Sequence, residues 1–526
     1  MIITEPRNIG QVLSDQARLQ PNRIGARDLS RQMTFAQWNR RACQLANALT
    51  GSGLKKGDRF AVLAYNRLEW VEIFAAAAKA GLIAVPINFR LTGPETKYIV
   101  ENAGARALLV EDALVGTIEE IRQDLDIGGG GGGDGGGGRF ICMGKSPKSA
   151  GWTSYEDFLT AASDREPDVD VSPDDAWCFM YTSGTTGLPK GAVRTHRGIA
   201  MLSLMTAVEL ATKRADNALL VMPMCHANSL FFFSAFVYSG ASITVFSQAS
   251  FDPALCLRTM GETGTSFTSL VPTHYTMMLD VPESERGKAS FESVEKLMIS
   301  SAPARADTKR AVMEMFPNTG LFELYGSTEG GWVTMLHPDE QFDKLGTVGR
   351  ETIGSAPIRL LDDDGNEVPD GTPGELYSCN PYTFTEYWDN PQKTAEAFRG
   401  NYMSVGDIAL RDEDGFIKLI DRKNNVIITG GENVYPSEVE AALGSHPAVA
   451  DVAVIGLADD KWGERVTAAV VRRDGESVDE KALTDWCRNS LAGYKRPRKF
   501  VFIKPEQMPR NPTGKILHRL LREQLG

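Results

Sequence analysis

Residues 181–191 combine the residue types that could hold a polyphosphate. The run Tyr-Thr-Ser-Gly-Thr-Thr-Gly-Leu-Pro-Lys-Gly includes four serine and threonine hydroxyls, three glycines and one lysine. Glycine lets the main chain approach phosphate oxygens closely, and successive N–H groups form an anion-binding concavity. The spacing differs from that of the common P-loop, because Pro189 precedes Lys190 and Gly191 follows it. The stretch therefore predicts ATP binding with a different loop geometry, and a plain surface turn is the alternative.

Two later stretches place polar groups in turns. Residues 324–329, Leu-Tyr-Gly-Ser-Thr-Glu, follow a strand-like lead. An aromatic ring beside glycine can stack on a purine, and a nearby carboxylate can hold Mg²⁺ on phosphates. Residues 404–407, Ser-Val-Gly-Asp, put an acid where it suits the two hydroxyls of a ribose. Each pattern also occurs in ordinary solvated turns, so neither identifies a site alone.

Two further stretches lie in the last hundred or so residues. Residues 421–440 run from a charged joint through a strand and a glycine-rich turn into a helix. Ser437 and Glu440 have the spacing of a capping box for that helix. Residues 509–516, Pro-Arg-Asn-Pro-Thr-Gly-Lys-Ile, place Lys515 in a rigid, glycine-broken loop. A lone lysine is normally a solvated charge, so this stretch alone does not indicate a functional site.

Together these stretches resemble the adenylate-forming superfamily of acyl-CoA synthetases, aryl-CoA ligases, peptide-synthetase adenylation domains and luciferases. The resemblance runs from about residue 10 to about residue 520, with the motifs in the family's order. It implies a large N-terminal domain that binds ATP and the acid. It also implies a smaller, mobile C-terminal domain that swings between two half-reactions.

The resemblance assigns nucleotide-binding roles by position. The residues implied at the β- and γ-phosphates are Thr182, Ser183, Gly184, Thr185, Thr186, Gly187 and Lys190. The residues implied around adenine and the following phosphates are Ser301, Ala302, Pro303, Glu323, Leu324, Tyr325, Gly326, Ser327 and Thr328. Tyr325 would lie against the adenine, and Glu329 would hold Mg²⁺ as the metal ligand. Asp407 would bind the ribose hydroxyls, with Arg422 close by.

The resemblance also implies the chemistry. A carboxylate attacks the α-phosphate of ATP and displaces pyrophosphate, and the thiol of CoA then takes the acyl group while AMP leaves. The implied catalytic residues are Lys515, Glu329, Thr185, Lys190 and His226. Gly430, Gly431 and Glu432 would line the pantetheine tunnel. The implied cofactors are ATP, Mg²⁺ and CoA, and the implied partner is a small-molecule carboxylic acid.

The stretch that follows Met222 lies where the family's acyl pocket begins. The predicted pocket residues are His226, Asn228, Ser229, Phe231, Val271 and Trp332. No acidic residue lies in this stretch to pair with an α-ammonium, which argues against amino-acid substrates, because a buried ammonium needs a counter-charge. Bulky apolar walls favour a short, medium-chain or aromatic acid over a long straight chain.

Other readings stay open at this point. A stand-alone adenylation enzyme that loads a carrier-protein thiol would carry the same motifs. So would a catalytically silent binding protein on the same fold, although Lys190, Glu329, Asp407, Arg422 and Lys515 are all present. Many relatives carry Asp or Lys two places after the arginine, where this chain has Asn424, so the pivot is predicted only to within a residue or two. A homodimer is neither required nor excluded by the sequence.

Composition excludes several classes of function. The net charge of −12 argues against a nucleic-acid partner. Seven cysteines without a CxxC pair favour reduced thiols in a cytosolic protein. No apolar run reaches about 18 residues, so no membrane span is predicted. The glycine tract at residues 128–138 has no side chains to bury, and we predict no function for it.

The fold class is predicted as α/β. Strand-like and helical runs alternate up to about residue 340, which indicates parallel sheets with helices on both faces, in two doubly wound α/β subdomains. Short strands punctuated by Asp-Gly turns predict a small β unit at about residues 346–410. The N-terminal adenylation domain is predicted to cover residues 1–420, and an α+β C-terminal domain to cover residues 421–526.

Overall fold

The computed structural model describes residues 5–125, 127, 139–145, 150–182, 188–287, 289–301, 304–488, 491–510, 514 and 516–526. The chain divides into unit 1, Met1–Pro357 with Ser378–Met403, and unit 2, Ile358–Tyr377 with Ser404–Gly526. Residues 358–377 and 404–420 therefore group with the C-terminal residues. The predicted functional boundary after residue 420 stays a prediction. The glycine tract at 128–138 lies outside the described residues.

Unit 1 contains two predominantly parallel sheets. Sheet A has the strand order β16-β15-β14-β13-β12-β10-β11-β1-β2. Its strands are β1 Ile24–Arg27, β2 Gln32–Thr34, β10 Asn217–Leu220, β11 Ser242–Val245, β12 Phe267–Leu270, β13 Lys296–Ser300, β14 Gly320–Ser327, β15 Gly331–Leu336 and β16 Arg350–Glu351. In the middle of the sheet, β14, β13, β12, β10, β11 and β1 run parallel to one another. At the edges, β2 is antiparallel to β1, β15 is antiparallel to β14, and β16 is antiparallel to β15.

Sheet B has the order β7-β6-β5-β3-β4-β8-β9, and β9 alone of its described strands is antiparallel to its neighbour. Its strands are β3 Arg59–Leu63, β4 Ile83–Ile87, β5 Ala105–Glu111, β6 Phe140–Met143, β7 Thr153–Ser154, β8 Ala176–Thr182 and β9 Lys190–Thr195. A separate short hairpin of unit 1 pairs β19 Phe398–Arg399 with β20 Tyr402–Met403.

Helices cover the faces of both sheets. The helices of unit 1 are α1 Ile9–Leu19, α2 Phe35–Gly51, α3 Glu69–Ala80, α4 Gly93–Ala103, α5 Val115–Glu119, α6 Tyr155–Thr160, α7 His196–Glu209, α8 Ala227–Tyr238, α9 Pro253–Glu262, α10 Pro272–Leu279, α11 Glu283–Arg286, α12 Ala306–Met315 and α13 Pro391–Ala397. The largest core cluster joins α2, α3 and α8 to strands of sheets A and B, so these helices lie between the sheets. Separate clusters cover the far face of sheet B and the far face of sheet A. The predicted doubly wound α/β class is confirmed.

Unit 2 is α+β, as predicted for the C-terminal part. An antiparallel sheet contains β17 Arg359–Leu361, β18 Gly374–Tyr377, β21 Asp407–Arg411 and β22 Ile417–Arg422. A second sheet contains β23 Ile427–Thr429, β24 Glu432–Val434, β25 Val449–Asp459, β26 Gly463–Arg472 and β27 Lys499–Phe502. The helices of unit 2 are α14 Pro436–Gly444, α15 Glu480–Arg488 and α16 His518–Leu525. Single 3₁₀ turns of the chain lie at Asp112–Leu114, Arg122–Asp124, Lys423–Asn425, Gly493–Lys495 and Pro505–Gln507.

The predicted capping box at the start of α14 is wrong. The residue before the helix is Tyr435, and it makes no side-chain cap. The hydroxyl of Ser437 donates to the carbonyl of Ile420, and Oε1 of Glu440 accepts from Nε2 of His518 at 2.7 Å. Tertiary partners therefore take both side chains away from the helix start, which local spacing could not show.

Two negative findings bear on function classes. Within the described ranges, no helix is long and apolar enough to cross a membrane. All seven cysteines lie in those ranges, and none forms a disulfide. The predicted reduced thiols agree with this, while the cytosolic location stays a prediction.

His196, the first residue of α7, predicts a loss of stability in acid. It is 3% exposed, and its Nε2 has no hydrogen-bond partner among the described residues. Burial lowers its pKa from the ordinary 6.5 to about 4. Because the unfolded chain binds the proton more tightly, the folded state loses stability as pH falls from about 6.5 towards 4.

We expect His196→Gln to remove that pH dependence. The wild-type protein should lose about 2 kcal/mol more than the variant between pH 7 and pH 5. Urea unfolding followed by tryptophan fluorescence at both pH values measures the difference. Equal losses in the two proteins would show that this imidazole does not titrate on unfolding in that range.

Candidate active site

Thr182 and Glu329, predicted to bind phosphate and metal, meet where strands of the two sheets of unit 1 end. Thr182 is the last residue of β8 in sheet B, and Glu329 lies in the turn after β14 of sheet A. The hydroxyl of Thr182 donates to Oε1 of Glu329 at 3.1 Å, and this contact joins the two sheets. Ligands of open α/β sheets bind at the carboxyl ends of strands. The structure thus supports one shared location for these residues.

Glu329 is a buried carboxylate with hydroxyl donors. It is 7% exposed, and its Oε1 accepts hydrogen bonds from Thr182 and from the phenol of Tyr387 at 2.8 Å. Both of these donors are neutral hydroxyls. Carboxylate and hydroxyl oxygens are hard ligands of the kind that Mg²⁺ prefers. The donor set therefore fits the predicted metal.

Lys190 lies beside the same tyrosine. It pairs with Thr182 across the β8–β9 ladder, and its Nζ lies 4.1 Å from the centre of the Tyr387 ring. Desolvation lowers the pKa of Lys190, and the charge of Glu329 opposes that effect. Tyr387 thus holds a cation on its ring and an anion on its hydroxyl. This arrangement could receive a metal-bound triphosphate, with the ammonium directed at the phosphates.

The residues predicted around adenine form the end of β14 and the residue after β13. A bulge lies between Tyr325 and Gly326, and a Cβ on Gly326 would come within 2.3 Å of the carbonyl oxygen of Gly331. Only glycine fits this close approach of two chains. Ser301 has a φ of 70°, an uncommon value for a residue with a side chain, of the kind that clusters at ligand sites. Ala302 and Pro303 lie outside the described residues.

Glu323 lies on the same strand but is occupied. It is 5% exposed and forms an ion pair with the ammonium of Lys309, which is itself buried on α12. Any contact of Glu323 with the nucleotide through its carboxylate would have to replace this ion pair. Its predicted role stays a prediction. Leu324 is buried, while Ser327 accepts a hydrogen bond from the backbone N–H of Gly330 at 2.7 Å and so shapes the turn that carries Glu329.

The predicted acid pocket lies at the start of α8. His226 immediately precedes the helix, and its Nε2 has no hydrogen-bond partner within the described part of the chain. Burial lowers the pKa of His226 to about 4, so its imidazole is neutral near pH 7. Asn228 donates to the hydroxyls of Ser269 at 3.0 Å and Ser300 at 2.8 Å, near the ends of β12 and β13. A neutral imidazole with an open nitrogen suits a polar contact to a substrate.

The other predicted pocket residues are engaged in the core. Ser229 is 1% exposed and donates to the carbonyl of Met222 at 2.6 Å. The ring of Phe231 packs edge-on against Trp332, with ring centres 5.2 Å apart. Both aromatic side chains are buried, as is Val271 before α10. Their roles as pocket walls stay predictions, and Ser229 would have to exchange its partner to bind a substrate.

Unit 2 holds its own predicted residues together. Asp407 begins β21 and lies opposite Arg422 on β22, with Nε and Oδ1 2.9 Å apart. The family resemblance implied that these residues lie close together, and their pairing across the β21–β22 ladder accounts for it. Lys423, next along the chain, bonds Asp363 at 2.7 Å and Glu375 at 3.1 Å, and these carboxylates raise its pKa.

The glycine-rich turn in unit 2 forms the β23–β24 hairpin. Gly430 and Gly431 have φ values of 62° and 83°, as a tight hairpin turn requires. Glu432 is exposed at the start of β24. Residues 183–187 of the phosphate loop and Lys515 lie outside the described residues, so their predicted roles stay predictions.

Sequence reasoning missed Tyr387 and Arg194. Tyr387 lies 58 residues from the carboxylate that it holds, and Arg194 donates to the carbonyls of Thr328 and Glu329 from β9. Neither residue belongs to one of the stretches that suggested chemistry. Arg194 could have been noticed as a charge directly after the small and apolar residues 191–193 of β9.

We expect Tyr387→Phe to weaken ATP use while the ring under Lys190 remains. A hydrogen bond to a charged group contributes about 1.5–3 kcal/mol, so kcat/KM for ATP should fall about ten- to a hundredfold. Tyr155→Phe is the matched control, because Tyr155 donates from a buried phenol to Glu72 at 2.8 Å in the same unit. Steady-state kinetics of both variants measure the effect, and equal losses would show that only general stability changed.

The chain is similar in sequence to known enzymes over nearly its whole length. The profile of a family described as AMP-binding enzyme matches residues 13–388, and that of the AMP-binding enzyme C-terminal domain matches residues 438–515. The chain is 34% identical to the long-chain-fatty-acid–CoA ligase FadD13 of Mycobacterium tuberculosis, over 98% of each chain. It is 32% identical to a feruloyl-CoA synthase of Amycolatopsis, over 97% of this chain and 98% of that one. It is also 32% identical to the fatty acid–[acyl-carrier-protein] ligase ScoC of Streptomyces coeruleorubidus, over 98% and 95% of the two chains.

Solved structures show the same fold. The anthranilate CoA ligase AuaEII in complex with anthranoyl-AMP superposes with a TM-score of 0.88 at 26% identity, covering 99% of this chain and 98% of that one. O-succinylbenzoate coenzyme A synthetase from Bacillus subtilis, in complex with ATP and magnesium ion, gives a TM-score of 0.84 at 26% identity, covering 97% and 99%.

Proposed function

The chain belongs to the family of AMP-binding enzymes, and on that premise we propose that it is an ATP-dependent acid:CoA ligase. It joins a carboxylic acid to the thiol of CoA and converts ATP to AMP and pyrophosphate. The observation that carries the proposal is the meeting of Thr182, Lys190 and Glu329 around Tyr387, at the ends of β8 and β14. Relatives that span nearly the whole chain bear the names of CoA ligases.

The reaction proceeds in two displacements. In the first, a carboxylate oxygen of the acid bonds to the α-phosphorus of ATP, and the bond from that phosphorus to pyrophosphate breaks. In the second, the sulfur of CoA bonds to the acyl carbon, the bond from that carbon to AMP breaks, and the thiol proton is lost. The enzyme acts by positioning and by neutralising charge on phosphate oxygens. No covalent bond to the enzyme is needed.

Three described residues of unit 1 would have separate roles in binding the phosphates. Lys190 would neutralise phosphate oxygens, and Thr182 would donate to them or keep Glu329 oriented. Glu329 would hold Mg²⁺ together with triphosphate oxygens, as is usual for this ion. Within the described part of the chain, no cluster of three His, Cys, Asp or Glu residues could hold a metal alone. Mg²⁺ would supply charge neutralisation on the phosphates.

Roles for the remaining predicted residues rest on the family resemblance. Asp407, paired with Arg422, would accept the ribose hydroxyls. Lys515 would bridge the carboxylate and the α-phosphate. The Gly430–Gly431 turn would line the channel of the pantetheine arm. The acid would enter beside His226, and its apolar part is proposed to be short, medium-chain or aromatic.

Pyrophosphate release over a panel of carboxylic acids, with ATP and Mg²⁺, tests the reaction class. We expect release that depends on the acid and an acyl-CoA product detectable by mass spectrometry when CoA is added. Acid-dependent release without any thioester on CoA would contradict the choice of acceptor. No acid-dependent release over straight-chain, branched and aromatic acids would contradict the proposal itself.

The acceptor has one named alternative. ScoC is a fatty acid–[acyl-carrier-protein] ligase by name and is 32% identical to this chain, so a carrier-protein thiol is the second candidate. The same assay with a phosphopantetheinylated carrier protein in place of CoA separates the two. Faster thioester formation on the carrier than on CoA at equal concentration would favour the alternative.

A further inference from the structure

Arg194 is a buried cation that bonds to backbone carbonyls. The residue is 1% exposed on β9. Its Nη1 donates to the carbonyl of Thr328 at 3.2 Å and to that of Glu329 at 3.0 Å, and its Nη2 donates to the carbonyl of Tyr382 at 2.6 Å. Among the described residues, no carboxylate forms an ion pair with it. The guanidinium therefore ties the strand that carries Lys190 to the turn that carries Glu329.

Stability alone does not explain a guanidinium at this position. Removing an ion from water is costly, and replacing buried charges by apolar groups of similar volume is often neutral or stabilising. The guanidinium carbon lies 4.9 Å from the centre of the Phe231 ring, so a methionine could pack in the same place. What the guanidinium adds, and an apolar side chain could not supply, is its three hydrogen bonds to backbone carbonyls.

The carbonyls that Arg194 holds are consecutive. The carbonyls of Thr328 and Glu329 belong to the two peptide planes on either side of the Glu329 Cα. Fixing both planes fixes the direction in which the Glu329 side chain leaves the backbone. The carboxylate then reaches the hydroxyls of Thr182 and Tyr387.

Strand geometry couples this turn to the lysine. Residues 190 and 194 are four apart on β9, so their side chains lie on one face of the strand. Thr182 pairs with Lys190 and Cys178 pairs with Arg194 across the ladder with β8. Through Arg194, strand β9 therefore fixes the position of Lys190 relative to the turn that carries Glu329.

We propose that Arg194 is a positioning residue that orients Glu329 towards metal-bound nucleotide. The inference rests on the proposed function, because it takes Glu329 as the group that meets Mg²⁺. In this role Arg194 acts through the backbone of the Glu329 turn and would touch neither nucleotide nor metal. Its loss should therefore affect the gain in nucleotide affinity that Mg²⁺ provides, and leave the affinity measured without metal nearly unchanged.

Titration calorimetry with a non-hydrolysable ATP analogue, with Mg²⁺ and with EDTA, measures that gain directly. Loss of groups that orient metal ligands typically costs 10–100-fold in metal affinity. For Arg194→Met we expect the Mg²⁺-dependent gain to shrink about tenfold or more, with affinity in EDTA within about twofold of wild type. The Mg²⁺ concentration for half-maximal pyrophosphate release should rise in parallel, while KM for the acid stays the same.

Arg59→Met is the matched control. Arg59 lies on β3 of the same sheet, and its guanidinium donates to the carbonyls of Ala103 at 2.7 Å and Gly104 at 3.0 Å. The Arg59→Met substitution likewise removes hydrogen bonds from a guanidinium to two consecutive backbone carbonyls, but these carbonyls do not belong to the Glu329 turn. A Mg²⁺-dependent gain reduced equally in both variants would overturn the proposal, because the effect would then be one of general stability.

If Arg194→Met does not fold, Arg194→Lys tests the positioning role instead. A lysine keeps the charge but is a point donor without the planar fork that spans several carbonyls. We expect an intermediate loss of the Mg²⁺-dependent gain. A folded lysine variant with the wild-type gain would overturn the proposal, and so would failure of both variants to fold, which would assign Arg194 to the core alone.

The outcomes separate this inference from the proposed function. A wild-type protein that shows the Mg²⁺-dependent gain but no acid-dependent pyrophosphate release would contradict the ligase activity and leave the role of Arg194 testable by calorimetry. A wild-type protein with ligase activity and an Arg194→Met variant with normal metal dependence would overturn only the inference.

Discussion

Replacing Lys515 by alanine is expected nearly to abolish acyl-adenylate formation and to spare the second half-reaction. The family resemblance places its ammonium between the attacking carboxylate and the α-phosphate, where negative charge accumulates only in the first displacement. Removing one such stabilising group costs about 10²–10³-fold in rate. Pyrophosphate release should fall by that factor, while thioester formation from synthetic acyl-AMP and CoA should stay within about threefold of wild type.

Lys481→Ala is the control for this variant. Lys481 is an exposed lysine on α15 in the same unit, so its loss removes the same charge without touching the proposed chemistry. Rapid-quench measurement of both half-reactions in both variants gives the comparison. Equal loss of the two half-reactions in Lys515→Ala would contradict the assignment and indicate a role in folding or in binding shared by both steps.

Local patterns were sufficient for much of the fold. The predicted alternation of helical and strand-like runs is found at residues 69–87, where α3 Glu69–Ala80 is followed by β4 Ile83–Ile87. Gly81, which ends α3, has a φ of 62°, as a glycine after a helix often does. All residues of α3 and β4 are buried, so the extent of each element can be predicted from its hydrophobic run and from the glycine at its boundary.

The small β unit was harder to delimit. It was predicted at about residues 346–410, but its strands run from Arg359 to Arg422 and are interrupted by residues 378–403, which belong to unit 1. Asp-Gly turns mark hairpins well but do not tell which strands share a sheet. That depends on pairings between distant segments, such as β18 with β21.

The candidate site was only partly visible in the sequence for the same reason. Thr182, Lys190 and Glu329 stand in stretches whose residue types suggest phosphate and metal chemistry, so they could be named. Arg194 and Tyr387 act on those residues through contacts that span 135 and 58 positions. One is a charge inside an apolar strand and the other a tyrosine in a loop, and neither pattern by itself points to a ligand.

Glu329→Gln is the second substitution for which we expect a large effect. It should lower activity with Mg²⁺ but strengthen nucleotide binding without metal. Losing the carboxylate removes the proposed metal ligand, so acid-dependent pyrophosphate release with Mg²⁺ should fall about 10²–10³-fold. Losing a negative charge beside a bound triphosphate should strengthen nucleotide binding in EDTA, because like charges repel. Calorimetry with an ATP analogue, with and without Mg²⁺, shows both changes.

The same substitution should move the pH dependence. The charge of Glu329 raises the pKa of Lys190 against the lowering effect of desolvation. Without that charge the lysine loses its proton at lower pH, so the alkaline fall in residual activity should begin earlier than in wild type. A pH–rate profile of kcat/KM for ATP measures the shift, with Tyr387→Phe as a comparison that keeps the carboxylate.

Glu209→Gln separates these effects from the loss of any buried glutamate. Glu209 ends α7, and its side chain, 6% exposed, bonds His337 at 2.8 Å and the backbone N–H of Ile353 at 2.8 Å. Its neutral replacement disturbs a buried acid in the same unit but no group near Lys190. If Glu209→Gln and Glu329→Gln lowered activity equally, or if Glu329→Gln weakened binding in EDTA as much as with Mg²⁺, Glu329 would be a structural acid. A loss confined to the metal-bound nucleotide is the result that only a ligand at the phosphates can give.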